Sequence, residues 1–243
     1  MSRLFDKQKH NENQRSHFDL DTLSNPRMMA VDTPYVNRHV QRLVEHARLP
    51  AKCRVLDIGC GLGKFSIPLI DRGFDVTGLD LSPDMIQALD SNLGDRKMPL
   101  HVADIASPPQ ELWGQFDAVV GFFMLHHLVD LTAAFEGVRM CLRPGGTAAF
   151  LEPNAFSPLF PVQISLVRSM RWRSDYGVMR MTRRRLTNAM EAAGFDDIEH
   201  AWTGLLPPVV ANRVGAGFEN TLDKFPLPGP LSSFQVVAAR SPK

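Results

Sequence analysis

The 243-residue sequence predicts an α/β fold: a doubly wound, mostly parallel sheet with helices on both faces. Three observations predict it. Short runs rich in Val, Ile, Leu and Phe alternate with helical apolar stripes from residue 34 to residue 151. A glycine-rich turn, Gly59-Cys60-Gly61-Leu62-Gly63, joins the first run to the helix after it. Acidic residues, Asp57, Asp80 and Asp104, stand at or near the ends of the first three runs. The crossovers that such alternation requires are right-handed, so the C-terminal ends of the strands share one sheet edge. Ligands of open α/β sheets bind at that edge.

Each element has its own warrant. Thr33 is an N-cap and Pro34 a first helical residue, followed by a stripe of Val36, Val40, Leu43, Val44 and Ala47. Leu49-Pro50 ends it. Arg54–Ile58 reads as a buried strand, and Lys64–Arg72 as a helix stopped by Gly73. Phe74–Asp80 is the second strand. Ser82-Pro83 opens a helix with Met85, Ile86, Leu89 and Leu93 on one side. Pro99–Ala103 and Phe116–Phe122 are the third and fourth strands. Asp130 caps a helix carrying Leu131, Ala134, Phe135, Val138 and Leu142, broken by Pro144-Gly145-Gly146; Thr147–Leu151 is the fifth strand.

Beyond Glu152 the pattern loosens. Thr182 caps a helix with Leu186, Met190 and Ala193, stopped by Gly194. Phe195–Trp202 and Ser233–Ala239 are the last strands. The proline-rich connection 204–231 is long enough to suggest a functional loop. The expected organisation is a polar arm or lid at 1–32 and a domain at 33–243, with 153–181 and 204–231 as substrate-side insertions.

Composition narrows the class. Hydrophobic residues make up 44% and charged residues 22%, which excludes wholesale disorder. A net charge of +1 disfavours a protein built on nucleic-acid electrostatics. Three cysteines without a C-x-x-C pair fit a reducing, cytoplasmic compartment. The N-terminal residues lack the apolar core of a signal peptide. The longest apolar run, near Ala118–Leu128, is too short to span a bilayer. Peripheral membrane contact stays open, and no metal site is expected.

The glycine turn is the strongest motif. Its spacing is G-x-G-x-G; a dinucleotide fingerprint would need glycine at 64, where lysine stands, and no G-K-[ST] follows for a phosphate loop. Gly59, Gly61 and Gly63 let backbone approach a ligand closely. Asp57 can bind a cationic group. Asp80 can accept both hydrogen bonds of a ribose diol. Asp104 can accept one from an adenine amino group. Each also has a structural reading, as a tight turn, a helix-opening residue and a turn residue.

Taken in order, V-L-D-I-G-C-G-L-G, G-L-D-L-S-P-D-M-I, V-A-D-I, F-D-A-V-V-G-F-F-M-L-H-H-L and L-R-P-G-G-T resemble the class I S-adenosylmethionine-dependent methyltransferases over about residues 53–154. The resemblance implies a Rossmann-like, seven-stranded sheet with an antiparallel last strand, an inserted substrate cap, and S-adenosylmethionine as cofactor. It implies that the glycine turn, with Cys60, holds the methionyl part, and Asp80 the ribose. Leu81 and Met85 would flank the adenine, Asp104 and Ile105 meet its edge, and Phe122 lie near the sulfonium. Arg38 is a candidate partner for the methionyl carboxylate.

Methyl transfer from a sulfonium is a direct displacement, so alignment matters more than a dedicated base. A hydroxyl acceptor must still lose its proton. His126 and His127 lie just past the fourth strand and Glu152 ends the fifth, which makes them the candidate catalytic residues. Packing or orientation of the next helix is the competing reading for the histidines. The fourth strand lacks the [DNS]-P-P-[YFW] tetrapeptide of family members that methylate base or glutamine amino groups, and there is no Pro-Cys pair of the cytosine-C5 type; other nitrogen acceptors stay open.

Arg168, Arg171, Arg173, Arg180, Arg183, Arg184 and Arg185 against Asp175 give segment 168–185 a charge of +6. That segment can face an anionic substrate, a lipid headgroup or RNA, or be a solvated helix face. Trp172 and Tyr176 can stack on a planar substrate. Phe156, Leu159, Phe160 and Val162 suit an apolar cap or the packing of a lid. The expected function is methylation of a small or lipid-like acceptor at a hydroxyl oxygen. Leu-Ser-Asn-Pro-Arg at 23–27 resembles quinone-ring O-methyltransferases. The alternatives are an RNA methyltransferase using the Arg168–Arg185 cluster and a non-catalytic cofactor-binding partner protein.

Overall fold

The computed structural model describes residues 32–154, 156–157, 175–204, 229 and 232–243, with the side chains of 175 and 176 excepted. Its elements, in chain order, are α1 (Pro34–Ala47), β1 (Arg54–Ile58), α2 (Ser66–Asp71), β2 (Asp75–Asp80), α3 (Pro83–Asn92), β3 (Leu100–Val102), β4 (Phe116–Phe122), α4 (Leu131–Cys141), β5 (Leu142–Pro153), α5 (Arg183–Ala192), β6 (Asp196–Thr203) and β7 (Phe234–Arg240). Short 3-10 turns lie at Gln110–Leu112, Leu125–His127 and Asp175–Arg180. Thr33, Ser82, Asp130 and Thr182 each accept a backbone N–H at the start of a helix, as the sequence predicts.

The seven strands are ordered β3-β2-β1-β4-β5-β7-β6, and β7 runs antiparallel to both its neighbours. The sheet is buried on both faces. Val55, Val120, Ala149, Leu151 and Val236 point to the side covered by α1, α2 and α3. Leu56, Val119, Ala148, Phe150 and Val237 point to the side covered by α4 and α5. Adjacent residues take opposite faces because the strand period is two. Burial of both faces explains why the strands read as continuous apolar runs rather than alternating ones.

The winding reverses between β1 and β4, whose ends meet at the Ile58–Gly121 register pair. That switch point places a crevice beside the glycine turn.

β2 starts one residue later than expected, β6 and β7 each shift by one residue at both ends, and Leu142 opens β5 rather than closing α4; three elements depart further from the expected bounds. α2 starts at Ser66, because residues 63–65 are used in the turn, where the Ile67 N–H donates to the Gly63 carbonyl at 3.0 Å. β3 covers only Leu100–Val102. β5 extends well beyond Thr147–Leu151. At its start a register shift against β4, with Gly145 at φ 74°, absorbs the Pro-Gly-Gly. At its end Glu152 and Pro153 pair with Gln235 and Phe234 of β7.

Candidate functional site

The β1–β3 side of the edge is built from strand-end carboxylates. The Gly61 N–H donates to Asp80 Oδ2 at 2.9 Å, and the Ser82 N–H donates to Asp80 Oδ1 at 3.0 Å. Asp80 therefore ties the end of β2 to the glycine turn. Asp57, 2% exposed, accepts the Ser66 hydroxyl at 2.5 Å. Burial pushes its carboxyl up to about 7, the Ser66 hydrogen bond opposing and the Asp80 charge adding to the shift. Asp104 Oδ1 accepts the Ala106 N–H at 2.9 Å, and Ile105 beside it is buried.

The three glycines divide by what surrounds them. All have positive φ. A Cβ on Gly63 would come within 2.3 Å of Leu89 Cδ1, and one on Gly59 within 2.9 Å of Met124 Cβ, so both also serve close packing. A Cβ on Gly61 would meet nothing within 4 Å: its backbone faces open space. Cys60 is buried, and burial pushes its thiol well above the ordinary range. Met85 is buried, Leu81 half-buried. Phe122 stacks on Phe65 with ring centroids 4.4 Å apart. Arg38 is buried on α1.

The β4–β7 side is held by Glu152. Its carboxylate is fully buried. Oε1 accepts the N–H groups of Met124 and Leu125 at 2.8 and 2.7 Å, and Oε2 accepts His126 Nδ1–H at 2.7 Å. Glu152 thus fixes the whole turn that leaves β4. The His127 ring lies 4.0 Å from that of His126. A Cβ on Gly177 would sit 2.0 Å from the His126 carbonyl oxygen, so the 175–180 turn rests directly on this backbone.

Aromatic residues that sequence reasoning missed complete this side. Phe123, just past β4, has φ 57°, a strained conformation for a bulky side chain. Its ring lies 5.4 Å from that of Phe234, 5.7 Å from Phe65 and 5.6 Å from His39. Tyr35 lies 4.1 Å from His39. The available signal was Tyr35 and His39, four residues apart on α1 and one position ahead of the Val36–Val40 stripe.

Of the basic cluster, Arg183 places its guanidinium 4.0 Å from the Trp202 ring, and Arg180 and Arg184 are exposed. Phe156 is exposed. Leu159, Phe160, Val162, Arg168, Arg171, Trp172, Arg173 and the Tyr176 side chain lie outside the described residues, as do residues 1–31. Among the described residues no group of three potential ligands is placed to hold a metal ion, and no helix is long and apolar enough to cross a membrane.

A family model described as "Methyltransferase domain" matches residues 32–200. The chain belongs to the class I S-adenosylmethionine-dependent methyltransferases. Among curated relatives of this methyltransferase is a putative methyltransferase of Bacillus subtilis (strain 168), 34% identical over 121 residues, covering 47% of this chain and 49% of the relative. Another is a ubiquinone biosynthesis O-methyltransferase of Xanthomonas axonopodis pv. citri, 38% identical over 103 residues, covering 41% and 43%. These matches span less than half the length of either relative.

Solved structures share the fold at low identity. Phosphoethanolamine N-methyltransferase 2 of Haemonchus contortus, in complex with S-adenosyl-L-methionine, has a TM-score of 0.67 at 18% identity, covering 94% of this chain and 60% of that one. The [4+2]-cyclase SpnF has a TM-score of 0.67 at 19% identity, covering 96% and 97%. The family uses S-adenosylmethionine. The chemistry of the residues present fits it: acidic side chains at the ends of β1 and β2, Asp57 and Asp80, beside open backbone at Gly61.

Proposed function

We propose that the chain transfers the methyl group of S-adenosylmethionine to a hydroxyl oxygen of a small or lipid-like acceptor in the cytoplasm. One observation carries the reading: Asp80 holds the Gly61 N–H while Gly61 faces open space at the β1–β4 switch point. Asp57, Gly59, Cys60, Gly61 and Gly63 hold the methionyl part, with Arg38 for its carboxylate. Asp80 takes the ribose; Leu81, Met85, Asp104 and Ile105 enclose the adenine; Phe122 lines the reacting end. The bound cofactor supplies an already activated methyl group, so the protein's own contribution is alignment and exclusion of water.

On the acceptor side, Glu152 is fully buried and takes three donors from the turn that leaves β4. We assign Glu152 and His126 a positioning role, with His127 packed behind them: they set the turn that carries Phe123 and Met124. The hydroxyl preference is supported by the aromatic wall and by the O-methyltransferases among the relatives.

Calorimetry with S-adenosylmethionine and S-adenosylhomocysteine, followed by transfer of labelled methyl to phenols, fatty alcohols, amines and RNA, tests this. Binding with label on a hydroxyl acceptor is expected. Label on nitrogen or RNA overturns the acceptor class. Binding without turnover on any acceptor favours the non-catalytic reading.

A further inference from the structure

His39 sits on the first turns of α1, at the same sheet edge as Phe123, which follows β4, and Phe234, which opens the antiparallel β7. Its Nδ1 lies 2.7 Å from the Tyr35 carbonyl oxygen. A carbonyl only accepts, so Nδ1 carries the proton and Nε2 is left as a bare lone pair. That nitrogen is buried and has no hydrogen-bond partner among the described residues. Buried polar atoms are almost always satisfied, and an exception calls for a ligand or a water.

Its surroundings are aromatic. The Tyr35, Phe234 and Phe123 rings lie 4.1, 4.8 and 5.6 Å away. Lys64 Nζ, on the glycine turn, lies 5.9 Å from the Tyr35 ring centre.

The geometry points to His39 as an acceptor-binding residue: its Nε2 takes a hydrogen bond from a phenolic hydroxyl on the molecule to be methylated, whose ring packs against the Tyr35–Phe123–Phe234 cluster. The inference rests on the methyltransferase reading above. The charged groups facing His39 are Arg38 on its own helix and Lys64 on the glycine turn. Burial is the main cause that pushes its pKa down, to about 3; the Tyr35 carbonyl opposes, and the two cations add. The ring therefore stays neutral through the physiological range and keeps an acceptor on offer. An acceptor lone pair of this kind discriminates in favour of O–H over O–CH3, so it favours the substrate over its methylated product.

The test uses the full chain labelled with 15N-histidine and loaded with S-adenosylhomocysteine, titrated with phenol and separately with anisole. His39 is assigned as the signal missing from His39→Gln. The expected result is a bare-nitrogen resonance for His39 Nε2 that phenol shifts and anisole does not. Phenol binds roughly tenfold more tightly than anisole, and His39→Phe removes that difference. His39→Gln, which retains an acceptor oxygen, restores part of it.

Three results overturn the proposal: a resonance unmoved at saturating phenol, one already hydrogen-bonded without ligand and unmoved by it (a buried water), or no binding of either probe. Failure of S-adenosylhomocysteine to bind would instead sink the cofactor reading, and the phenol and anisole titrations of the wild type would still report on His39.

Discussion

On the β1–β3 side of the sheet edge, the carboxylates bind backbone close to their own strand ends. Asp80 takes the N–H of Ser82 two residues on and of Gly61 on the neighbouring turn; Asp104 takes the N–H of Ala106. On the β4–β7 side, one carboxylate from β5 organises a turn 26 to 28 residues away in sequence, and the aromatic wall draws on α1, β4 and β7. The first side borders the open space beside Gly61. The second spends its carboxylate on holding its own shape. Ligand binding and fold stability should therefore separate between the two sides.

Glu152→Ala should break the comparison most severely. It leaves two backbone N–H groups and the His126 ring N–H without their acceptor in a dry environment. At about 1–3 kcal/mol for each of the three unsatisfied donors, a loss of roughly 3–9 kcal/mol is expected, read by urea denaturation. Where enough folded protein remains, S-adenosylhomocysteine affinity should change less than fivefold. A stability loss under 1 kcal/mol would show that the turn does not depend on Glu152.

Asp80→Ala is the mirror experiment. It removes the Gly61 tether and the acceptor proposed for the ribose. Hydrogen bonds to charged groups contribute about 1.5–3 kcal/mol each, so a cofactor affinity loss of at least about 100-fold is expected by calorimetry. The stability cost should be smaller than that of Glu152→Ala, because Asp80 is only partly buried. Equal stability losses in the two variants would erase the distinction.

The two sides also differed in how far sequence exposed them. The strand–turn–helix units of the first side are local: Gly59, Gly61, Asp80 and Asp104 each stand at a run's end, and the alternation places those ends on one edge. The second side depends on pairing that no local pattern encodes. Glu152 was visible only as the end of a strand; its three donors follow from how the β4 turn folds back. Pro153 pairs with Phe234 of the distant β7, and this pairing lengthens β5 beyond the run that marks it. Tyr35 and His39 lie outside the aliphatic stripe that marks α1, so the helical pattern alone gives them no role.

Within the glycine turn the same separation appears on a smaller scale. Gly63→Ala should cost about 2–3 kcal/mol, since a Cβ would press on Leu89 and the residue sits at φ 83°. Gly61→Ala should cost about 1 kcal/mol for its positive φ, while weakening S-adenosylhomocysteine at least as much as Gly63→Ala does. Thermal melts and calorimetry on both variants check the pair. If Gly61→Ala binds as wild type, the open space beside it is not where the ligand lies.

The most delicate comparison is electrostatic, because each side holds one buried group with a displaced pKa. His39 is lowered from 6.5 to about 3, chiefly by burial. Asp57 is raised from 3.8 to about 7, also chiefly by burial. Between about pH 4 and 6.5 the unfolded chain protonates His39 and the folded chain does not, so this group makes stability rise with pH. Over the same window the folded chain keeps a proton on Asp57 that the unfolded chain has lost, so that group makes stability fall with pH. One proton each way gives slopes of about 1.4 kcal/mol per pH unit that oppose each other. The two should nearly cancel in the wild type. Asp57→Asn removes the second and should steepen acid sensitivity by that amount; His39→Phe removes the first and should tilt the profile the other way. Urea midpoints from pH 4 to 7 on the three proteins read this directly. Parallel profiles for all three would mean that neither group is as dry as its place at the sheet edge implies, and would remove the ground for keeping His39 neutral.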